Sequence, residues 1–179
     1  MKEFTIYCDG SSAPKTSKNA GWGIAIPIRP NDYVVYAGHL KSPSTNNIGE
    51  AWALTNAIKI FAKQPIKLTI FSDSEYALKF VRNRANWERD GLPPANNDII
   101  LQCWKNWDEF KSNGGFLDPR WCKGHDKIVG NEVADFAAKA GRDSDIHFGS
   151  KGLIEMKYGV NIVKAVYFNS QDQFNSFIK

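Results

Sequence analysis

Four acidic side chains and one histidine stand where chemistry can be built. Asp9 closes the run Phe4-Thr5-Ile6-Tyr7-Cys8 and Asp73 closes Lys67-Leu68-Thr69-Ile70-Phe71-Ser72, two apolar stretches that read as strands. Glu50 shares i, i+4, i+7, i+11 spacing with Leu54, Ala57 and Phe61, so a helix there points its carboxylate toward whatever the apolar stripe covers. Asp135 lies beside a second stripe, Val129, Val133, Phe136, Ala137 and Ala140. Two carboxylates at strand ends and two projecting from helices near one sheet form a cluster that repels itself unless cations bind. Hard oxygen ligands of this kind select Mg²⁺ or Mn²⁺. His125, in the glycine-flanked run Lys123-Gly124-His125-Asp126-Lys127, lies in a loop that could swing, and histidine is the side chain most often used to move protons.

Each residue also has an ordinary structural explanation. Asp9-Gly10 is a common hairpin turn, and Asn47 with Glu50 makes a capping-box-like helix start. Asp73 suits the N-terminus of a helix within a Ser72-x-x-Glu75 capping pattern, Asp135 suits a solvated helix flank, and His125 a surface loop. A zinc site at Cys122-x-x-His125 lacks two further ligands nearby.

The elements that must position these groups follow from the pattern of apolar runs and breakers. Three strands, within 4–8, 21–28 and 33–40, are close enough in sequence for an antiparallel meander, with Arg29-Pro30-Asn31-Asp32 as one reversal. A helix over 48–63 precedes the strand at 67–72, and a helical segment follows it to about Arg84. Gly91, Pro93 and Pro94 make 83–97 a loop or short helix, before a Trp-bearing helix over 98–111 that ends at Gly114-Gly115. A fifth strand over 116–123 and a last helix over 131–142 complete the body. The order implies an α/β fold: a mixed five-stranded sheet, three antiparallel strands then parallel ones, with helices on both faces. Residues 143–179 form a C-terminal extension: Val160, Ile162, Val166 and Phe168 suggest a strand or hairpin, and Ser170-x-x-Gln173 caps a short helix carrying Phe174 and Phe177.

Composition bounds the remainder. The 179 residues suit one domain with an appendage, and 42% hydrophobic content rules out a disordered chain. The net charge of +4 permits nucleic-acid binding without requiring it. The extension carries four lysines against four acids, so attraction for phosphate is expected from residues 1–142. Three widely spaced cysteines argue against a disulfide framework and for a reducing, cytoplasmic compartment. No apolar run reaches the roughly 18 residues of a membrane helix, and no membrane is expected as a partner.

Four separated motifs then take on a joint meaning. Tyr7-Cys8-Asp9-Gly10-Ser11, Thr45-Asn46-Asn47-Ile48-Gly49-Glu50, Ser72-Asp73-Ser74, and Lys123-Gly124-His125 followed by Gly130-Asn131-Glu132-Val133-Ala134-Asp135 resemble ribonuclease H, type 1, in order and in element context. The resemblance covers about residues 1–142, the expected catalytic domain. It implies an endonuclease that cuts the RNA strand of an RNA/DNA hybrid, leaving 3′-hydroxyl and 5′-phosphate ends. Asp9, Glu50, Asp73 and Asp135 match the family's metal-binding carboxylates and His125 its proton-handling histidine. A pair of divalent ions about 4 Å apart, Mg²⁺ or else Mn²⁺, is the implied cofactor for an in-line displacement. By the same resemblance Gly10, Ser11, Ser12, Asn46 and Asn47 contact the minor groove, Thr45 a DNA phosphate, Asn96 a second phosphate, and Trp87 the DNA strand.

Three departures qualify that picture. Glu75 stands at a groove-contact position where many bacterial members carry glutamine, so its charge either weakens that contact or tunes the metal site. Trp87-Glu88-Arg89-Asp90-Gly91 resembles the basic substrate-binding protrusion but is shorter and interrupted by acids, which predicts weaker hybrid binding and a smaller salt slope. The extension either packs on the body, joins a partner subunit, or represents half of a small hybrid-binding module. Other readings of the same fold are an exonuclease, whose Asp-x-Glu is missing at Asp9-Gly10-Ser11, a transposase-type strand-transfer enzyme, and a non-catalytic scaffold, which would have lost its metal ligands.

Overall fold

A computed structural model describes residues 1–13, 19–41 and 46–179, the side chain of Asn46 excepted. Three antiparallel strands, β1 (Glu3–Ser12), β2 (Asn19–Arg29) and β3 (Asp32–Lys41), lead into α1 (Asn46–Ile60) and β4 (Lys67–Ser72). Then come α2 (Glu75–Arg82), α3 (Arg84–Asp90), α4 (Asn97–Ser112), β5 (Phe116–Trp121) and α5 (Val129–Arg142). The extension contributes α6 (Lys151–Tyr158), β6 (Asn161–Phe168) and α7 (Gln171–Phe177).

All six strands belong to one sheet in the order β5-β4-β1-β2-β3-β6. The mixed sheet expected from sequence is present, with one strand more: β6 pairs in parallel with β3, Tyr36 opposite Val166 and Gly38 opposite Phe168. The β3 edge, which the expected five strands would have left open, is thereby covered, and β6 becomes the outer strand on that side. Self-packing is thus the arrangement the extension adopts. The apolar pattern gives no sign of α6, which has no fully buried residue and carries Gly152 in its first turn.

Helices cover both faces. On one, α1 is buried nearly all round because the sheet lies beneath it and α4 above; Asn106 of α4 donates to the Thr55 carbonyl at 2.9 Å. The same apolar layer takes in Trp22, Phe80, Phe110 and, from the extension, Phe168 and Phe174. On the opposite face Val133, Phe136, Ala137 and Ala140 of α5 pack with Val35, Ala37, Phe148 and Ile162. The two layers leave the middle of β1 and the tip of β4 between helix ends, and the acidic residues converge there.

Candidate active site

Asp9 sits within β1, opposite Gly23, and not at its end. The strand runs on through Gly10, Ser11 and Ser12, which pair with Trp22, Gly21 and Ala20, so the turn reading of Asp9-Gly10 fails: long-range pairing outweighs the local Asp-Gly preference. Gly10 is there for a close approach. A Cβ on it would lie 2.2 Å from the Glu50 backbone nitrogen, so only glycine lets the first turns of α1 rest on β1. That contact carries Glu50 to Asp9. Glu50 lies inside α1, which starts at Asn46, so the capping-box role for Asn47 and Glu50 does not apply.

Asp73 follows β4 immediately, and the helix cap is Ser74, not Ser72: Ser74 Oγ accepts from the Ala77 N–H at 3.0 Å, while Ser72 Oγ accepts from the Ser74 N–H at 3.1 Å. Asp73 is therefore released from capping duty and faces Asp9. Gly124 closes over it, since a Cβ there would stand 2.7 Å from Asp73 Oδ2. From the other face, α5 brings Asn131 and Asp135, one helical turn apart and on one side of the helix.

One carboxylate oxygen each from Asp9, Glu50 and Asp73 lies within 4.8 Å of the other two. Asp9 is 4% exposed and Glu50 8%. Burial, then the charges of Glu50 and Asp73, hold the Asp9 carboxyl far above its ordinary range. Burial pushes Glu50 up to about 8, although hydrogen bonds with Asp9 and the Gly10 backbone pull the other way. Asp73 is raised by burial and partly relieved by hydrogen bonds with Asp9 and Asn131 and by the His125 charge. Asp135 stands just outside this trio, adding its negative field to all three, and pairs with Lys139 at 2.9 Å. His125 is exposed and adopts φ 56°, within the left-handed region, as does Lys127 at 59°.

Acids that raise one another's proton affinity make a site suited to a cation. Glu50 Oε2 is buried with no hydrogen-bond partner, and so is Asn131 Oδ1, among the described residues. An oxygen left in that state costs about 1–3 kcal/mol unless something electropositive meets it. The donor set is all oxygen, which suits a hard divalent ion. Nearby thiols are no competitors: burial keeps Cys8 protonated and pushes Cys122 up to about 11.

A family model, RNase H, matches residues 1–143. The chain belongs to the RNase H family. It is accordingly a nuclease of the hydrolase class. The chain is 34% identical over 163 residues to the ribonuclease H of Saccharomyces cerevisiae, an alignment spanning 78% of this chain and 46% of that protein. It is 30% identical to the ribonuclease H of Verminephrobacter eiseniae, over 87% of this chain and 100% of that one. Among solved structures, the PFV RNase H domain superposes with a TM-score of 0.63 at 23% identity, covering 79% of this chain and 94% of its own. RNase H1 of Halobacterium salinarum NRC-1 gives 0.58 at 17% identity, with coverages of 79% and 98%. Both likenesses extend the RNase H fold to this chain.

The residues expected around the substrate fall into groups. Ser11 is buried and its Oγ accepts from Arg142 Nη1 at 3.0 Å; Ser12 pairs with Ala20 at the end of β1. Asn47 is exposed in the first turn of α1, Thr45 lies outside the described residues, and of Asn46 only the backbone is described. Asn96 takes the left-handed conformation ahead of α4 and donates to the Tyr76 hydroxyl at 2.6 Å. Trp87 is half-buried, edge-on to Phe80. Glu75 is exposed and its charge meets Arg82 at 3.7 Å. The short protrusion is also self-neutralised: Arg84 binds Asp108 through both terminal nitrogens and Arg89 binds Asp90. The residue given no role in the sequence reading is Asn131. Its signal was available, an amide four positions before Asp135 on the same helix face.

Proposed function

We propose that this RNase H family member is an endoribonuclease that hydrolyses the RNA strand of RNA/DNA hybrids, with Asp9, Glu50, Asp73 and Asp135 as metal ligands and His125 as the proton-handling side chain. The observation that carries the reading is the buried trio of carboxylates, with the orphaned Glu50 oxygen, on the residues that match the family's motifs. Two divalent ions, Mg²⁺ or Mn²⁺, would supply Lewis acidity toward the scissile phosphate and a water of lowered pKa. The chain's own part is to hold the carboxylates at fixed separation. β1 and β4, adjacent and parallel, set Asp9 against Asp73, while the Gly10 contact sets Glu50. Asn131 orients Asp73 by donating its amide N–H.

His125, exposed and close enough for its charge to act on Asp73, would pass a proton at its imidazole nitrogens to the departing 3′ oxygen or help the product leave. Exposed Asn47, and Gly10, Ser11 and Ser12, which follow Asp9 in β1, would supply the groove contacts that distinguish a 2′-hydroxyl. Residues 1–142 hold every proposed catalytic group, while 143–179 complete the sheet. Three free cysteines agree with a cytoplasmic setting, and no described helix is long and apolar enough to cross a membrane.

The test is incubation of a strand-labelled RNA/DNA hybrid with Mg²⁺, beside EDTA, all-RNA and all-DNA duplexes. Metal-dependent cutting of the RNA strand alone, with 5′-phosphate products, is expected. Cutting of the all-DNA duplex, or cutting in EDTA, would contradict the reading.

A further inference from the structure

The extension reaches the catalytic face, and it does so with a lysine. α6 lies along α5 with its last turn beside the His125 loop. Ile154 and Tyr158 pack against the layer containing Phe136, Phe148 and Ile162. The Tyr158 hydroxyl donates to Glu132 Oε2 at 3.2 Å, and Glu155 Oε2 accepts from the Ile162 N–H at 2.9 Å, tying the helix to both α5 and β6. The position of Lys157 relative to Asp135 is therefore set by the fold.

Lys157 lines two cavities. One, of about 490 Å³, it shares with His125 and Lys127; the other, of about 360 Å³, it shares with Asp135 and Lys139. The acids around these cavities already have partners. Glu132 is met by Tyr158, Asp135 by Lys139, Asp143 by Arg142, and Asp145 accepts from the Gly149 N–H. Lys157 itself has no carboxylate oxygen within 4.0 Å among the described residues; its ammonium lies over the Tyr158 ring at 5.3 Å. Lys127 is likewise exposed and without an ion pair among them. Arg84, just before the protrusion, and Arg89 within it are by contrast spent on Asp108, Glu88 and Asp90.

We propose that Lys157, carried by the C-terminal extension, binds a backbone phosphate of the nucleic acid next to the His125 side of the active site, and so supplies part of the electrostatic hold that the self-neutralised protrusion does not. The proposal rests on the hybrid-cleaving reading above. A net-neutral extension is compatible with it, because a phosphate responds to the nearest unpaired ammonium and exposed charges beyond a Debye length are largely screened. A lysine in the last turn of a helix also has a structural use, favouring the negative end of the dipole, and the experiment has to separate the two.

The full chain is compared with Lys157→Ala and Lys157→Gln, and with Lys164→Ala, an exposed β6 lysine, as control. Hybrid cleavage is followed across a salt series. Either Lys157 substitution is expected to raise KM roughly 3- to 10-fold at low salt with kcat within about twofold, and to lower the salt slope by about one. Lys164→Ala should match the unsubstituted protein, and thermal midpoints should agree. On hybrids trimmed one base pair at a time, the affinity step lost by Lys157→Ala marks the phosphate concerned. Unchanged KM and slope, an equal change in the control, or a KM change accompanied by a lowered thermal midpoint would overturn the proposal. Hybrid binding by fluorescence anisotropy in EDTA runs in parallel. Failure of the unsubstituted protein to cut then counts against the hydrolase reading, whereas loss of binding at Lys157 alone still upholds this one.

Discussion

Two clusters of this molecule face opposite demands. Around Asp9, Glu50 and Asp73 the chain buries like charges against one another and leaves a carboxylate oxygen without a partner. Around Phe168 it does the reverse: Trp22 stacks on Phe168 at 5.9 Å, Phe174 meets both edge-on at 5.2 Å, and Tyr36 and Phe177 close the group. The first costs folding free energy and the second supplies it. A carboxylate cluster without cations is left unsatisfied, so stability has to come from elsewhere, and here part of it comes from the extension.

The largest effect is expected at Asp9. Asp9→Asn should lower hybrid cleavage by roughly 10³-fold or more, about 4 kcal/mol of barrier, measured as kcat/KM in Mg²⁺. Without metal the same substitution should raise stability by about 1–3 kcal/mol, because an amide relieves the repulsion; chemical denaturation in EDTA reads this. A variant both inactive and less stable would erase the contrast.

In the aromatic cluster the signs exchange. Phe174→Ala removes a fully buried ring and should cost about 3–5 kcal/mol of stability, while cleavage per folded molecule stays within a few-fold. Removal of everything after Arg142 should have a larger effect of the same kind, lowering the thermal midpoint far more than hybrid affinity. If affinity falls more than stability, the extension is chiefly a binding module.

Gly10 belongs to both accounts. Gly10→Ala places a methyl group against the Glu50 backbone and should cost about 3 kcal/mol while also lowering activity, since α1 must retreat and carry Glu50 with it. Full activity in this variant would show that the α1 contact does not set the carboxylate.

The carboxylates also make stability depend on pH. Raised carboxyl pKa values mean that the folded, metal-free protein binds more protons than the unfolded chain above the ordinary carboxylate range. The stability they contribute is therefore present at low pH and is lost as pH rises, for Glu50 through about 8. Unfolding free energy in EDTA should decline steadily from pH 5 to pH 8.5, and saturating Mg²⁺ should restore it. A metal-free protein that gains stability over that range would show that the carboxylates do not repel.

The residue types of the site were readable because carboxylates on core-facing positions are rare, and because Glu50 follows the spacing of Leu54, Ala57 and Phe61. Their exact placement was less so. Asp9 reads as a turn because Asp-Gly-Ser-Ser is turn-like over four residues, whereas the partners that make it strand, Trp22 to Ala20, are ten or so positions away. Ser72 and Ser74 are equally good caps on composition, and only the backbone bond from Cys122 to the Ser72 carbonyl, which extends the β4 and β5 pairing, decides between them. β6 was expected as a strand or hairpin, but its partner β3 lies more than a hundred residues earlier. α6 left no trace in the apolar pattern, since only Ile154 and Tyr158 touch the core. Arg84, just before the protrusion, is neutralised by Asp108, a residue of the following helix, and only the tertiary structure brings the two together.

The central claim is that the carboxylate trio performs metal-dependent hydrolysis of the RNA strand. Its most direct test is cleavage of one RNA-labelled hybrid by the unsubstituted protein and by Asp73→Asn in the same Mg²⁺ buffer. Cutting of the RNA by the first and none by the second, with both proteins folded, is the predicted result; equal cutting by both would place the chemistry somewhere other than this trio.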